Sequence, residues 1–168
     1  MDIQTFEEEV LKIERLLYHV SWSMLSSQED CADAVQEALT RAWQKRDTLR
    51  NLKAFRGWLV QILTNVCKDM LRKRQKQHYV PLDDAALADT VGEPGNFAMT
   101  EALQLLSPEH RLAVVLHYLE GYKIRDIAQM LNTPAGTIKT RLMKARIDLR
   151  KAIGDQADLH GGINYEKI

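Results

Sequence analysis

The sequence predicts an all-α fold in which two small helical domains are joined by a flexible linker. Apolar residues recur at steps of three and four along most of the chain, the spacing that places them on one side of a helix. Breaks that contain Pro, Gly or short polar runs separate these periodic segments, and no segment has the strict alternation expected of a strand. At 168 residues the chain is long enough for two small cores.

The first 76 residues predict a three-helix bundle. One helix carries an apolar stripe from Phe6 to Met24, and a second carries a stripe from Cys31 to Trp43 after the break at Ser26-Ser27-Gln28. A long third helix has its inner face between Phe55 and Met70. Because each helix has one apolar side, the three are expected to bury these sides against each other.

The second half of the chain predicts a helix-turn-helix. A helix over 98–106 precedes Ser107-Pro108-Glu109, which places an N-cap, a proline and an acid at the start of the next helix. That helix is expected to end at Gly121, since glycine accepts the left-handed backbone of a helix C-terminus. A short helix over 124–131, a break at Asn132-Thr133-Pro134 and a final basic helix complete the motif.

The predicted organisation follows from these segments. The stretch between the two helical regions loses the helical rhythm, contains two prolines and two glycines, and is acidic. We therefore expect a first domain over 1–76, a linker over 77–97, a second domain over 98–153 and a frayed tail over 154–168.

The charges are segregated although the formal net charge is zero. Lysines and arginines concentrate at 68–76 and 139–151, whereas acids concentrate near the N-terminus and in the linker. Such blocks create local fields of opposite sign. The pattern predicts two DNA contacts and leaves acidic surfaces for other partners.

Several classes of function are not supported by the sequence. Cys31 and Cys67 form no Cys-x-x-Cys pair and the N-terminus lacks a signal-like segment, which favours a cytoplasmic protein. The longest apolar runs fall far below the roughly 20 residues of a membrane span, so we expect no membrane insertion. His78, His110 and His117 lack metal-ligand spacing, and no phosphate-binding glycine loop follows a strand. We therefore expect neither enzymatic activity nor a metal or other cofactor.

The final helix presents cations on the side opposite its apolar stripe. Lysine and arginine bind phosphates and guanine edges, threonine bonds to either, and methionine packs against apolar base edges. A solvated amphipathic helix is the alternative, but the preceding short helix, the turn and Gly136 favour DNA. The predicted exposed side comprises Lys139, Thr140, Met143 and Lys144, with Arg141 and Arg146 at its flanks.

The third helix carries a second polar stripe. Its residues are spaced four, three and four positions apart, from Asn65 to Lys76, so an amide, an acid and two basic side chains lie on one narrow line of the helix. Such a line of side chains suits contacts with base edges of a duplex or with unstacked single-stranded bases. A solvated helix with a surface ion pair between Asp69 and Lys73 explains the segment equally well. The stripe comprises Asn65, Asp69, Arg72 and Lys76, and it is surrounded by Lys68, Lys73 and Arg74.

The second helix has an acidic, amide-bearing face opposite its apolar stripe, formed by Asp33, Gln36 and Glu37. Solvation is the usual reason for such a face. A protein partner with a basic surface is the more specific explanation.

Together these segments closely resemble the extracytoplasmic-function sigma factors of bacterial RNA polymerase. The resemblance covers nearly everything from about residue 16 to residue 151, with both regions typical of that family in the expected order. It is carried by the run from Asp33 to Trp43, by Phe55 to Leu59 with Asn65, Asp69 and Leu71-Arg72, and by Asp126-Ile127-Ala128 with the run from Gly136 to Arg146.

The resemblance implies a role for each surface. The first domain would be sigma region 2, with Asp33, Gln36 and Glu37 docking on the clamp coiled coil of the largest polymerase subunit. The third helix and the basic residues around it would recognise and open the −10 element. The second domain would be sigma region 4, whose final helix reads the −35 element and which contacts the flap of the β subunit. Family members of this kind are often held inactive by an anti-sigma factor, so such a partner is expected.

The length of the linker agrees with this arrangement. About 20 extended residues reach at most ~66 Å, and promoter elements two DNA turns apart are ~70 Å distant, so domain width supplies the rest. In the free chain the same linker would let the domains pack together and hide the basic faces. We therefore expect weak DNA binding without polymerase.

Two other classes of protein share parts of this pattern. A helix-turn-helix regulator would use the first bundle for sensing a ligand or for dimerisation, and a sigma-like adaptor would bind polymerase without directing initiation. The polar stripe on the third helix and the acidic face on the second favour the sigma factor.

Overall fold

Every regular element in the described part of the chain is a helix. The computed structural model describes residues 1–77 and 97–154, with side chains over 1–77 and 100–152. Helices over these ranges confirm the predicted all-α fold class. The centre of the predicted linker and nearly all of the predicted tail lie outside the described residues.

Four helices build the first domain. α2, α3 and α4 pack against one another around fully buried side chains such as Trp22, Leu59 and Leu63. Ser27 begins α3 by accepting a hydrogen bond from the Asp30 backbone N–H. The helices are α1 (Ile3–Leu11), α2 (Glu14–Leu25), α3 (Gln28–Gln44) and α4 (Phe55–Lys76), with short 3₁₀ turns at Arg46–Thr48 and Leu52–Ala54.

The helix predicted along the stripe from Phe6 to Met24 is broken into α1 and α2. Ile13 leaves helical geometry, with φ −123° and ψ 13°. The break allows Phe6 to pack edge-on against Trp43 and Phe55, with ring centroids 5.3 and 5.6 Å apart. Hydrophobic periodicity gave no sign of the break because Ile13 is itself buried in the core.

The second domain is a helix-turn-helix preceded by two helices. α6 and α7 pack on α8 around the buried residues Leu116, Ile127 and Ile138. Ser107 caps α6 and Pro108 occupies its first turn, as predicted. The α-helix itself ends at Val114, and Gly121, with a left-handed φ of +75°, follows the π-helical turn that continues it. The elements are α5 (Phe97–Gln104), α6 (Pro108–Val114), a π-helical turn (Val115–Leu119), α7 (Ile124–Met130) and α8 (Ala135–Gly154).

The π-helical turn was not predicted. Here the Glu120 backbone N–H donates to the Val115 carbonyl at 3.0 Å, one residue further back than in an α-helix. Glu120 is thereby positioned beside α2 of the first domain. A tertiary contact of this kind leaves no trace in local periodicity.

The two domains pack against each other. α6 and the π-helical turn contact α2, and α7 contacts α4. Gly57 in α4 lies next to Met130 of α7, because a Cβ added to Gly57 would be 3.7 Å from the Met130 Cγ. Among the helices in the described ranges, none is long and apolar enough to cross a membrane.

Candidate nucleic-acid interface

The exposed side of α8 is arranged as predicted. Ile138, Leu142, Ala145 and Leu149 are buried against the domain core, and this fixes which side of the helix faces outward. Lys139, Thr140, Met143 and Lys144 are exposed, and the apolar Met143 side chain is 49% exposed.

The two arginines at the flanks of α8 are less exposed than the residues on its outer side. Arg141 and Arg146 are both half-buried. The Arg141 guanidinium donates to Glu109 of α6 at 2.9 Å, so part of its charge is balanced inside the domain. This agrees with a position beside the exposed side of α8 rather than at its centre.

The predicted stripe on α4 is divided between free and paired side chains. Asn65, Arg72, Lys73 and Lys76 are exposed, whereas Lys68 and Asp69 are half-buried. Asp69 pairs with Arg72 at 3.3 Å and with Arg41 of α3 at 3.5 Å. The surface ion pair considered between Asp69 and Lys73 is therefore replaced by these two contacts.

Arg74 has a different environment from its neighbours on α4. Its guanidinium pairs with the Asp30 carboxylate at the start of α3, and the side chains are only 19% and 22% exposed. The charge of Arg74 is therefore used to join α3 to α4. It is the member of the predicted cationic group that the structure ties most firmly to the protein itself.

Arg41 is a candidate site residue that was not predicted from the sequence. Its guanidinium donates to Glu37 at 2.6 Å and to Asp69 at 3.5 Å. It thus connects a residue of the acidic face on α3 with a residue of the stripe on α4. The Glu37 contact follows the i,i+4 rule, but Asp69 is 28 residues away and no sequence pattern pairs them.

The acidic face of α3 is solvent-accessible. Asp33, Gln36 and Glu37 are all exposed, on the side opposite the buried stripe that contains Ala34 and Ala38. Gln36 also borders an apolar groove of about 510 Å³ between α1, α2 and α3. An exposed polar face beside an apolar groove is suited to a protein partner.

The two thiols are internal. Cys31 and Cys67 are both buried and neither forms a disulfide. Burial raises the pKa of the Cys31 thiol, and raises that of Cys67 to about 12, which suppresses the reactive thiolate. Over residues 1–77 and 97–154, no group of three or more His, Cys, Asp or Glu could hold a metal ion.

The expectation that domain packing hides the basic faces is wrong. Lys139 and Lys144 on α8, and Arg72 and Lys73 on α4, stay exposed while the domains are in contact. The contact uses α2 and the beginning of α4 from the first domain, and α6, the π-helical turn and α7 from the second. Both cationic surfaces therefore remain accessible to DNA in the packed arrangement.

Two helical domains with an exposed cationic helix in each, the second in a helix-turn-helix, are the arrangement of a DNA-binding protein. The family model Sigma-70 region 2 matches residues 10–77, and the model Sigma-70, region 4 matches residues 96–149. The ECF RNA polymerase sigma factor SigM of Mycobacterium tuberculosis is 32% identical over 99% of this chain and 84% of its own. The chain belongs to the extracytoplasmic-function sigma factors, and it is an alternative sigma factor that directs transcription initiation.

Other relatives agree with this assignment. The ECF RNA polymerase sigma factor SigW of Bacillus subtilis is 29% identical over 83% of each chain. The sigma factor RpoE of Bartonella quintana, solved in complex with the anti-sigma factor NepR, matches 90% of this chain and 98% of its own, with a TM-score of 0.76 and 28% identity. The same fold occurs in CnrH in complex with the cytosolic domain of CnrY, at a TM-score of 0.68, 21% identity and coverage of 92% and 90%.

Proposed function

We propose that the chain binds core RNA polymerase and directs it to promoters by recognising a −10 element through α4 and a −35 element through α8. The observation that carries this proposal is the presence of two exposed cationic helices in separate domains of one sigma factor. Neither the sensing pocket nor the dimerisation of a helix-turn-helix regulator is needed to account for these surfaces.

In the −35 complex, α8 would lie in the major groove. Lys139, Thr140, Met143 and Lys144 are exposed on one side and would reach base edges and nearby phosphates. Arg141 and Arg146, at the flanks, would contact the phosphate backbone and so position the helix.

In the −10 complex, α4 would contact bases that have left the duplex stack. The Asn65 amide can bond to a base edge, while Lys68, Lys73 and Lys76 can neutralise phosphates. The Asp69 carboxylate accepts from Arg72, and this pair would shape the pocket for an unstacked base. Arg74 would act mainly through its contact with Asp30.

The acidic face of α3 would bind polymerase. Asp33, Gln36 and Glu37 would face the clamp coiled coil of the largest subunit, where complementary charge favours the encounter. The second domain would contact the flap of the β subunit. Such a protein acts by binding rather than by catalysis, without a cofactor, in the cytoplasm where polymerase and DNA are found.

An anti-sigma factor is the expected regulator. A structurally similar sigma factor, RpoE of Bartonella quintana, was solved in complex with the anti-sigma factor NepR. We propose that this chain is controlled by a protein of the same kind, with the exposed surfaces of both domains available to it.

Run-off transcription with purified core polymerase and a genomic promoter library tests the proposal. We expect RNA chains that start at defined positions downstream of paired −10 and −35 sequences. Core polymerase that retains the protein but starts RNA chains at no defined position would indicate an adaptor. Binding of a palindromic operator by a dimer, without polymerase, would indicate the other regulator class.

A further inference from the structure

The apolar groove between α1, α2 and α3 is not used by the proposed contacts with DNA. It has a volume of about 510 Å³, and aliphatic side chains form much of its lining. Leu11, at the end of α1, is 69% exposed beside it. A groove of this kind accepts the apolar side of an amphipathic helix. The aliphatic lining includes Val10, Leu11, Leu17, Val35 and Leu39.

The groove lies in the acidic part of the chain. Residues 1–44, which end with α3, contain nine acidic residues and three basic ones. Glu14 and Gln36 border the groove, and Asp33 and Glu37 are exposed on the same helix as Gln36. A helix that binds here should therefore carry basic residues beside its apolar ones, since complementary charge favours the encounter.

The outer side of α8 has both properties. The helix contains six basic residues and one acidic residue. Met143 and Ile147 are 49% and 44% exposed, and they lie one turn apart on the side that carries Lys139 and Lys144. Apolar residues at this spacing are typical anchors of a helix that binds in a groove.

Recognition of DNA does not account for Ile147. The second helix of a helix-turn-helix reads base edges mainly with its N-terminal residues. Ile147 lies in the fourth turn of α8, beyond those residues. An exposed apolar side chain at this position gains more from an apolar surface of a protein than from the phosphate backbone.

The groove and the outer side of α8 do not meet within one molecule. α8 packs on α5, α6 and α7, and its outer side is exposed while the two domains are in contact. In this arrangement α8 can reach only the groove of another copy. The formal net charge of the chain is zero, so overall repulsion does not keep two copies apart.

We propose that the chain associates with itself, with α8 of one copy bound in the groove between α1, α2 and α3 of the next. Because the two surfaces differ, the association is head-to-tail, and further copies can add unless a ring closes. One helix in one groove is a small contact beside the roughly 1,200–2,000 Å² of a stable interface. We therefore expect weak association, which salt weakens further.

Self-association would cover the proposed −35 reader. The side of α8 that carries Lys139 and Lys144 cannot contact DNA and an acidic groove at the same time. A −35 duplex should therefore dissociate the assembly, unlike the operator-binding dimer of a helix-turn-helix regulator. This consequence rests on the proposed function, whereas self-association does not.

Analytical ultracentrifugation of the full chain, from low to high micromolar concentration, tests the proposal. Two variants each break one surface. Leu11→Lys places a cation at the groove, and Ile147→Glu places an acid among the cations of α8. Leu52→Lys and Leu105→Glu are the matched controls, because these leucines are 46% and 73% exposed outside both surfaces. Circular dichroism checks that each variant keeps its helices.

We expect the average mass of the unmutated chain and of both controls to rise with concentration, and to rise less at high salt. Leu11→Lys and Ile147→Glu should each remain monomeric. An equal mixture of these two variants should form a dimer and nothing larger, because one keeps an intact α8 and the other keeps an intact groove.

A chain that is monomeric at every concentration would overturn the proposal and leave the groove for a different partner. A mixture that does not associate, or a control that abolishes association, would overturn it as well. If either variant loses its helical signal, Glu14→Arg and Arg150→Glu change the charge of the same two surfaces at exposed positions. An assembly that a −35 duplex leaves intact would count against the proposed role of α8 in DNA binding and not against self-association.

Discussion

The cationic surfaces of α4 and α8 differ in how their charges are balanced within the protein. On α8, Lys139 and Lys144 are exposed, and the flanking Arg141 is paired with an acid, Glu109. On α4, Arg72 shares Asp69 with Arg41, and Arg74 pairs with Asp30. The α8 surface is therefore ready to neutralise phosphates, whereas on α4 the two arginines are already paired with acids of the protein and the lysines carry the remaining charge.

This difference matches the kind of DNA that each helix is proposed to contact. A duplex has a dense phosphate charge, and free lysines gain affinity by releasing its counterions. Unstacked bases are held more by hydrogen bonds and shaped pockets, for which fixed groups such as the Asp69–Arg72 pair are better suited. A basic segment in a sequence is therefore not in itself a measure of free positive charge.

The largest effect should come from Lys144→Ala on α8. Loss of a base contact costs about 1–3 kcal/mol, so binding of a −35 duplex should fall by about five- to a hundred-and-fifty-fold. Binding to core polymerase should be unchanged. Fluorescence anisotropy with a labelled duplex and a polymerase pull-down measure the two effects, with Lys151→Ala at the far end of α8 as the control. Equal losses in both assays would contradict separate surfaces.

The reverse pattern is expected for Asp33→Ala on α3. Removing a charge from the exposed acidic face should weaken polymerase binding by about tenfold, since interfacial charge pairs are worth about 1.5 kcal/mol or more. Binding of the isolated −35 duplex should not change. Asp47→Ala is the matched control because Asp47 is an exposed acid outside this face. A variant with full polymerase affinity would remove α3 from the docking surface.

Arg74→Ala should affect folding more than DNA binding. The Asp30 pair is partly buried, so its loss should lower the free energy of unfolding by about 1 kcal/mol. For Arg74→Ala, the slope of log K against log salt concentration for binding of the −10 strand should stay the same. For Lys73→Ala, the magnitude of that slope should fall by about 0.7. Urea unfolding and salt titrations test both statements. A reduced slope for Arg74→Ala would show that its charge reaches DNA after all.

The smallest effect is expected for Arg41→Lys. A lysine keeps the positive charge but lacks the planar guanidinium that donates hydrogen bonds to two carboxylates at once. The Asp69 carboxylate should therefore be less well positioned. Binding of an unpaired −10 strand should fall by about threefold, a loss of the size expected for an exposed pair. Gln44→Lys, at the exposed end of the same helix, controls for a change in local charge. An unchanged affinity would leave Arg41 with no part in −10 recognition.

Most of the fold followed from local patterns. The stripe from Phe55 onward predicted α4, and Ser107-Pro108 predicted the start of α6, although this α-helix ends at Val114, before the expected Gly121. The break at Ile13 and the π-helical turn were missed because each depends on contacts with another element. At the site, the exposed side of α8 followed from the spacing of Ile138 and Leu142.

The helices, the two basic segments and the family could be predicted from the sequence, because they depend on residue types at short, regular spacing. Which cations are free became clear from the packing, since Arg41 pairs with Asp69 and Arg74 pairs with Asp30 across the α3–α4 contact. It alone also placed Arg111 against Ser23 and Ser26. These residues are far apart in the chain and come together only through packing. No local sequence pattern predicts such contacts.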